Sequence, residues 1–366
     1  MFPLFLALIG LVLAVAVLAA VYLLRKIRGL SFLSGISKSW LAWLISAGIL
    51  LGSIALLSLA MSPLNVAVCL LHLTVIWLLC DGIGWLLGKW AKRPVTSDIR
   101  AISALVLSIL YLGVGWINAH RVVATPYQFT SEKVSAPLRI VQFSDAHIGI
   151  TFDGGSFAAQ LEEINKQQPD IVVITGDFVD DSTSRQDMLS ACQALEILEA
   201  PVYFVYGNHD KGYHSAEGRG WSARELASAL ESSGVVILED EAVSLPGGYT
   251  LLGRQDASVR NRASMETLMA LADSGSYTIV LDHQPGDYDA QAEAKADLVL
   301  SGHTHGGQML PVTYVGQWMG LNDRTYGHER RDSTDFIVSS GISSWELKFK
   351  TGCFSEYVII DIFPAP

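Results

Sequence analysis

Two histidines stand one residue apart in the glycine-rich segment Ser301–Gln308, which reads SGHTHGGQ. The apolar run Asp297–Leu300 precedes it, so His303 and His305 follow a predicted strand. Side chains at positions i and i+2 of an extended strand point to the same side, so both imidazoles can face one cavity. The flanking glycines let the backbone come close to a bound ion. An HxH pair alone is a weak indication of a metal site, and ligands from other segments have to support it.

Four upstream segments supply further metal-competent side chains, each at the end of an apolar, strand-like run. They read IVQFSDAHIG from Ile140 to Gly149, DIVVITGD from Asp170 to Asp177, VYFVYGNHD from Val202 to Asp210, and YTIVLDHQP from Tyr277 to Pro285. Taken singly, an Asp at a strand end is usually a turn residue or helix cap, and GNHD is an ordinary turn composition. Ligands in open α/β sheets bind beyond the carboxyl ends of strands. The occurrence of all five segments after strand-like runs therefore predicts that these side chains meet at one edge of the sheet.

A centre for two metal ions fits this set, because such a centre needs about seven protein ligands with one bridging carboxylate. Two cations neutralise the phosphoryl oxygens that repel a nucleophile, and they lower the pKa of a bound water to near neutrality. Carboxylates mixed with imidazoles suit Mn, Fe or Zn without selecting one of them. His209 needs no metal for a role, since an imidazolium can protonate a leaving alkoxide or stabilise phosphoryl oxygens.

The series DxH, GD, GNHD, H and GHTH resembles the calcineurin-like metallophosphoesterase superfamily. The resemblance covers roughly residues 138–362, and GHTHGGQ and LDHQP are similar to membrane-anchored bacterial phosphoesterases of the YkuE/YaeI type. It implies an α/β fold, the calcineurin-like metallophosphatase sandwich of two mixed β-sheets flanked by helices. It also implies one metal held by Asp145, His147 and His305, a second held by Asn208, His283 and His303, Asp177 as the bridge, and His209 as the catalytic histidine. No ligand position departs from the pattern.

The segments between the strand-like runs predict helices that cover a sheet. Residues 156–168, 184–199 and 222–233 carry apolar side chains at three- and four-residue spacing. Their alternation with strands predicts parallel pairing with helices on each face. The run Lys211–Trp221 follows GNHD directly, and we expect it to form a loop over the site; an ordinary solvated loop is the alternative.

The front of the chain is unusually apolar and accounts for the mean hydropathy of +0.35. Stretches at about 2–24, 41–61, 64–87 and 101–119 are each long enough to cross a bilayer, which predicts an all-α transmembrane region of about four helices over residues 1–120. A cleavable signal peptide is the alternative for the first stretch, although no basic segment precedes it. Residues 121–137, with Pro126 and Pro137, are predicted to be a linker, and 138–366 the phosphoesterase domain.

Charged residues predict the orientation and argue against one class of partner. All eight Lys and Arg of residues 1–120 lie in the first and third predicted loops or at their edges, which places those loops in the cytoplasm and the phosphoesterase domain outside it. Residues 121–366 carry 17 basic against 34 acidic side chains, so a nucleic-acid partner is not expected. An outward-facing domain permits a disulfide between Cys192 and Cys353, but their spacing does not decide it.

These features predict a multi-pass cell-membrane protein that is a dinuclear metal-dependent phosphohydrolase. It would cleave a phosphoester, phosphodiester or pyrophosphate bond by metal-activated water. The predicted partners are the lipid bilayer and a phosphorylated substrate, preferably a lipid or lipid-linked envelope component, with a soluble small molecule as a further option. Two alternatives stay open: a UDP-diacylglucosamine-type pyrophosphate hydrolase, and a non-catalytic membrane sensor that binds a phosphorylated ligand.

Overall fold

The computed structural model describes residues 2–212 and 216–366, and the side chains of residues 2–13, 216 and 217 lie outside that description. The helices are α1 (Phe2–Arg28), α2 (Ser31–Ser34), α3 (Ser39–Ser58), α4 (Pro63–Ala91), α5 (Ser97–His120), α6 (Gly154–Asn165), α7 (Arg185–Ala194), α8 (Ala216–Arg219), α9 (Ala223–Ser232), α10 (Met265–Met269), α11 (Tyr288–Glu293) and α12 (Val315–Trp318). The strands are β1 (Val122–Ser131), β2 (Leu138–Phe143), β3 (Ile171–Thr175), β4 (Val202–Val205), β5 (Val235–Ile237), β6 (Glu241–Leu245), β7 (Tyr249–Gly253), β8 (Tyr277–Leu281), β9 (Leu298–Ser301), β10 (Gly327–Arg331), β11 (Thr334–Val338) and β12 (Ser355–Pro364).

The N-terminal part of the chain is helical, as its apolar stretches predict. Within the described residues, α3, α4 and α5 are long and apolar enough to cross a membrane, and α1 covers the first predicted span. Pro63 at the start of α4 has no N–H to leave unpaired, and the Ser62 side chain accepts a hydrogen bond from the Asn65 N–H. This cap explains why the chain turns between the second and third predicted spans. Residues 1–114 and 115–366 form two compact units.

The first sheet of the C-terminal unit has the strand order β1-β12-β2-β3-β4-β5. Strands β2 to β5 pair in parallel, and the residues of β2, β3 and β4 are almost entirely buried. Helices α6, α7 and α9 cover one face, with Phe157, Met188 and Leu226 in a continuous apolar core. Helices α7 and α9 fall within two of the segments predicted to be helical, and α6 overlaps the third but begins two residues earlier.

Strand β1 corrects the prediction that residues 121–137 are a linker. Its ten residues pair in parallel with β12 from Val122 to Ser131, so this segment is part of the first sheet. The strand lies at the sheet edge, where a Pro such as Pro126 is tolerated and side chains are only partly buried. An edge strand can form with few apolar residues, so this segment lacked the apolar run by which the other strands were predicted. Because α5 ends at His120 and β1 begins at Val122, a single residue connects them.

The second sheet has the order β10-β11-β9-β8-β7-β6, with β6 and β10 antiparallel to their neighbours at the two edges. Apolar side chains of both sheets, such as Ile140, Val173 and Ile279, form one core between them. Helices α10 and α11 cover the outer face of the second sheet. The predicted sandwich of two mixed sheets flanked by helices, preceded by apolar helices, is confirmed.

Both candidate disulfide partners are free cysteines in this fold. Cys192 is buried in α7, and the Cys353 thiol lies within hydrogen-bond distance, 3.1 Å, of the His305 carbonyl oxygen. The two thiols therefore belong to different parts of the unit, and Cys353 contributes to the position of a predicted metal ligand.

Candidate metal centre

Two groups of acidic and histidine side chains lie beyond the carboxyl ends of the central strands. Asp145, His147 and His305 form the first group, and Asp177, His283 and His303 form the second. Within each group the potential ligand atoms all lie within 4.8 Å of one another. Strands β2, β3, β8 and β9 deliver these residues from both sheets, so the centre lies where the two sheets end together.

Asp177 connects the two groups. Its Oδ2 lies 3.1 Å from His283 Nε2 in its own group and 3.7 Å from His147 Nε2 in the first group. Asn208, after β4, places its Oδ1 3.2 Å from His283 Nε2. All seven residues predicted as ligands are therefore brought together, with Asp177 in the position expected of a bridge. Their assignment as ligands remains a prediction.

The donor set fits divalent cations. His147 Nε2 and His305 Nε2 approach to 3.2 Å, so two ring nitrogens face each other across the first group. Asp145 and Asp177 are buried, and neither is ion-paired with a lysine or arginine in the part of the chain that the structure describes. Buried carboxylates need a compensating charge. Cations held between these carboxylates and imidazoles would supply it.

The pKa shifts of three of the predicted ligands, His303, His305 and Asp177, also fit metal binding. Burial and the neighbouring His283 lower the pKa of His303 to about 4, and burial and His147 hold the pKa of His305 well below its usual value. Both imidazoles are therefore neutral at pH 7, the form that binds a metal. Burial by itself would raise the pKa of Asp177, but His283 and His147 outweigh it and hold that pKa below its usual range. The carboxylate is ionised accordingly.

The backbone around the centre is held in an uncommon conformation. Five of the seven predicted ligands have a positive φ, between 37° and 71°: Asp145, His147, Asp177, His303 and His305. Such conformations cost energy and persist where the surroundings enforce them, often at functional sites. Gly207 of GNHD allows the tight packing, since a Cβ there would lie 2.2 Å from Asp177 Oδ1. The glycine is required for close approach to the proposed bridge.

Several groups around the ligands orient them and were not predicted. The Thr175 carbonyl oxygen lies 2.8 Å from His283 Nδ1, which directs Nε2 of that ring toward the centre. Asp180 Oδ2 lies 3.4 Å from His147 Nδ1 and orients the other ring in the same way. Such outer partners fix ring orientation and ligand basicity at metal sites. Asp180 follows GD in the sequence DFVDD, but only the fold shows which carboxylate of that run faces His147.

Asp210, the last residue of GNHD, ties the loop after β4 to the loop after β3. Its carboxylate is fully buried and accepts hydrogen bonds from the backbone N–H groups of Asp177, Phe178, Val179 and Gly207, at 2.7 to 3.1 Å. It therefore holds the proposed bridging residue without belonging to either ligand group. The GNHD motif contains Asp210, but its role became clear only when the structure showed the four backbone N–H groups that donate to it.

Replacing Asp210 with asparagine is expected to destabilise the C-terminal unit, because an amide nitrogen would face backbone donors. A buried donor that loses its partner costs about 1–3 kcal/mol, so we expect a loss of roughly 3 kcal/mol. Thermal unfolding of the full-length chain in detergent should show a melting temperature lower by about 6–12 °C for a unit of this size. Asp332→Asn is the matched control, because Asp332 is exposed and its φ of 51° suits asparagine. Equal melting temperatures for the two variants would contradict this role.

His209 lies beside the two groups and at the wall of a cavity of about 430 Å³. Its backbone N–H donates to Asp177 Oδ1 at 2.9 Å, and its ring centroid lies 5.2 Å from that of His147. The Trp345 ring lies 5.7 Å away on the cavity side. Gly218 and Arg219, from the run predicted to cover the site, also line the cavity. Tyr213, His214 and Ser215 of that run lie outside the described residues.

Comparison with known proteins supports the same interpretation. Residues 138–307 match the family model described as calcineurin-like phosphoesterase. The chain is similar to an uncharacterized metallophosphoesterase of Helicobacter pylori (strain J99), with 30% identity over 242 residues that cover 64% of this chain and 62% of that protein. It is similar to the uncharacterized metallophosphoesterase YkuE of Bacillus subtilis, with 29% identity over 72% of this chain and 94% of that protein.

The name of a relative from Danio rerio mentions both a transmembrane protein and a metallophosphoesterase domain. The chain is similar to a transmembrane protein with metallophosphoesterase domain of Danio rerio, with 29% identity over 70% of this chain and 62% of that protein. The matches thus span about three fifths of the Helicobacter pylori and Danio rerio proteins. Residues 138–307 therefore form a calcineurin-like phosphoesterase domain, which confirms the resemblance carried by its motifs.

Proposed function

We propose that this protein is a membrane-anchored dinuclear phosphohydrolase that cleaves a phosphoester, phosphodiester or pyrophosphate bond. The observation that carries the proposal is the arrangement of two largely buried ligand groups, with Asp177 of the second group reaching His147 of the first. Asp145, His147 and His305 would hold one cation, and Asn208, His283 and His303 the other. When bound, the two cations would neutralise phosphoryl oxygens and lower the pKa of water at the site.

His209 is the residue we assign to proton transfer. It is anchored through its backbone to Asp177, yet its ring reaches the cavity wall instead of joining either ligand group. If the phosphoryl group of a substrate lies between the two ligand groups, its leaving group would face this cavity. The imidazole can then give a proton to the departing oxygen or donate a hydrogen bond to a phosphoryl oxygen, as general acid catalysis requires.

A lipid or lipid-linked phosphate is the substrate class we favour. Three apolar helices precede the domain, and a single residue separates α5 from β1, so the metal centre has no long tether on which to leave the bilayer surface. An enzyme that acts on a water-soluble phosphate would not need its metal centre to stay near the bilayer. A UDP-diacylglucosamine-type pyrophosphate is a related alternative, and its headgroup would be handled on the cytoplasmic side.

Orientation separates these two substrate classes. The basic loops of residues 1–120 favour a domain outside the cytoplasm. A fluorescent protein that matures only in the cytoplasm, fused after Pro366, should stay dark, whereas a phosphatase reporter that is active only outside should be active. A bright cytoplasmic reporter would reverse the orientation and favour the UDP-linked alternative.

Metal removal tests the reaction itself. The full-length chain in detergent should lose hydrolysis after chelation and regain it with Mn or Zn, because no described lysine or arginine pairs with the carboxylates in place of the cations. An aryl phosphodiester, an aryl phosphomonoester and a short-chain phospholipid would be compared, with mock-chelated protein as control. Hydrolysis that survives complete metal removal, or a chain that binds no metal, would contradict the proposal.

A further inference from the structure

A stretch of twelve residues next to the metal centre exposes apolar side chains to an unusual degree. Leu310–Leu321 contains no charged residue, and we call it the apolar segment. Trp318 is 75% exposed, and Met319 and Leu321 are each 68% exposed, with α12 inside the segment. Soluble surfaces rarely carry contiguous apolar patches of this kind without a partner.

The apolar segment is held against the turn that carries His303 and His305. The Thr304 hydroxyl, between these histidines, donates to the Thr325 carbonyl oxygen, and the Thr325 N–H donates to Gln317 Oε1 at 3.2 Å. A Cβ on Gly307 would lie 2.0 Å from the carbonyl oxygen of Thr313, so the two backbones are in close contact. The segment therefore cannot move away from the centre without disturbing the predicted ligands.

The other end of the apolar segment is tied to the last turns of α5. The Leu310 N–H donates to Thr351 Oγ1 at 3.0 Å. The adjacent Lys350 N–H donates to the Gly115 carbonyl oxygen at 2.8 Å, and the Asn118 side chain donates to the Lys350 carbonyl oxygen at 3.2 Å. Gly115 to His120 belong to the same compact unit as the segment and continue a helix that is apolar enough to cross a membrane.

We infer that the apolar segment enters the boundary between lipid headgroups and acyl chains of the bilayer that α5 crosses. Tryptophan and tyrosine favour this boundary, and Tyr314 and Trp318 supply both. The absence of charge removes the cost of burying an ion, and exposed leucine, valine and methionine gain from leaving water. The apolar segment and the end of α5 both hydrogen-bond to Lys350–Thr351, so the segment lies close to a helix that can cross the membrane. This proximity favours the bilayer over a protein partner.

This inference rests on the proposed function and narrows its substrate. A segment seated in the lipid surface beside His303 and His305 would place the metal centre at headgroup level. The substrate would then be an amphiphile whose phosphate is presented by the membrane, with its acyl chains remaining in the bilayer. A phosphate free in water would reach the same ligands without needing the segment.

Depth-dependent quenching tests the inference without any need for activity. Trp318→Cys carrying an environment-sensitive fluorophore would be placed, as full-length protein, in nanodiscs of phosphatidylcholine and phosphatidylglycerol. Quenchers attached to lipid chains should quench this label, and aqueous iodide should not. Val236→Cys is the matched control, since Val236 is a 43% exposed aliphatic residue on β5, the edge strand opposite β1. It should show the reverse, and the unsubstituted chain corrects for labelling of the four native cysteines.

Two results would overturn the inference. Iodide quenching at both positions would place the apolar segment in water, and protection from both quenchers at residue 318 would indicate a second copy or another protein. Leu321→Cys serves as a second labelled site if Trp318→Cys fails to fold.

A second arm separates the inference from the proposed function. In proteoliposomes, the combined substitutions Trp318→Ser, Met319→Ser and Leu321→Ser should lower hydrolysis of a bilayer phospholipid at least about tenfold, given the apolar area removed. Hydrolysis of a soluble aryl phosphate should stay the same. Equal effects on both substrates would contradict the inference alone, whereas absence of any hydrolysis would contradict the proposed function and leave the quenching result standing.

Discussion

Asp177→Asn is expected to lower hydrolysis by the metal-loaded, full-length protein about a thousandfold, the upper range for loss of one group that stabilises developing charge. Asp177 Oδ2 lies 3.1 Å from His283 Nε2 and 3.7 Å from His147 Nε2, so it contacts a member of each ligand group. The substitution removes one negative charge but keeps a similar shape. Asparagine also accepts the left-handed backbone conformation of this position, where φ is 53°. The substitution therefore tests the charge of the proposed bridging residue while preserving the backbone conformation.

Metal content is the second measurement for this variant. We expect the variant to retain fewer metal ions after dialysis than the two proposed for the unmodified chain, since one of the negative charges proposed to hold them is lost. Asp289→Asn is the control, because that carboxylate is 91% exposed and its ion pair with Arg331 lies at the surface. Full activity and two retained metal ions in Asp177→Asn would contradict the assignment of Asp177 as the bridging ligand.

The features that the sequence predicted well share one property: each depends on a pattern that is local in the chain. Apolar runs that end in Asp, Asn or His mark β2, β3, β4, β8 and β9, and all five strands form with their polar ends together. The apolar stretches of residues 1–120 are local in the same sense, and they form helices close to the predicted bounds. Local patterns of this length decide secondary structure, and the order of strands then brings the ends to one edge.

The features that the sequence did not show depend on partners distant in the chain. Strand β1 is stabilised by pairing with β12, more than two hundred residues later, and its own residues alternate without a strong apolar face. Asp180 faces His147 only after folding. The apolar segment lacks a helical or strand period because glycine, proline and threonine interrupt it, so its exposure could not be anticipated.

Loss of the imidazole at residue 209 distinguishes an enzyme from a sensor that binds a phosphorylated ligand without turnover. His209→Ala is expected to reduce hydrolysis by about 10²–10⁴-fold, the usual contribution of a positioned general acid or base. Both metal ions should stay bound, because His209 belongs to neither ligand group and its contact with Asp177 is made by the backbone N–H. An alanine preserves that backbone donor.

The control for this variant is His328→Ala, which removes a partly exposed histidine on β10 that pairs with Asp335. We expect His328→Ala to retain activity and His209→Ala to lose it, with equal metal content in both variants. This result would place the reaction at the cavity beside the two ligand groups. A sensor predicts a different pair of results: no turnover in the unmodified chain, and ligand affinity that survives the His209 change. The geometry favours the enzyme, since the His209 backbone is anchored at Asp177, the proposed bridge, and the residue lines an open cavity. Turnover that is undiminished in His209→Ala would leave proton transfer without an assigned residue and would contradict our mechanism at its central step.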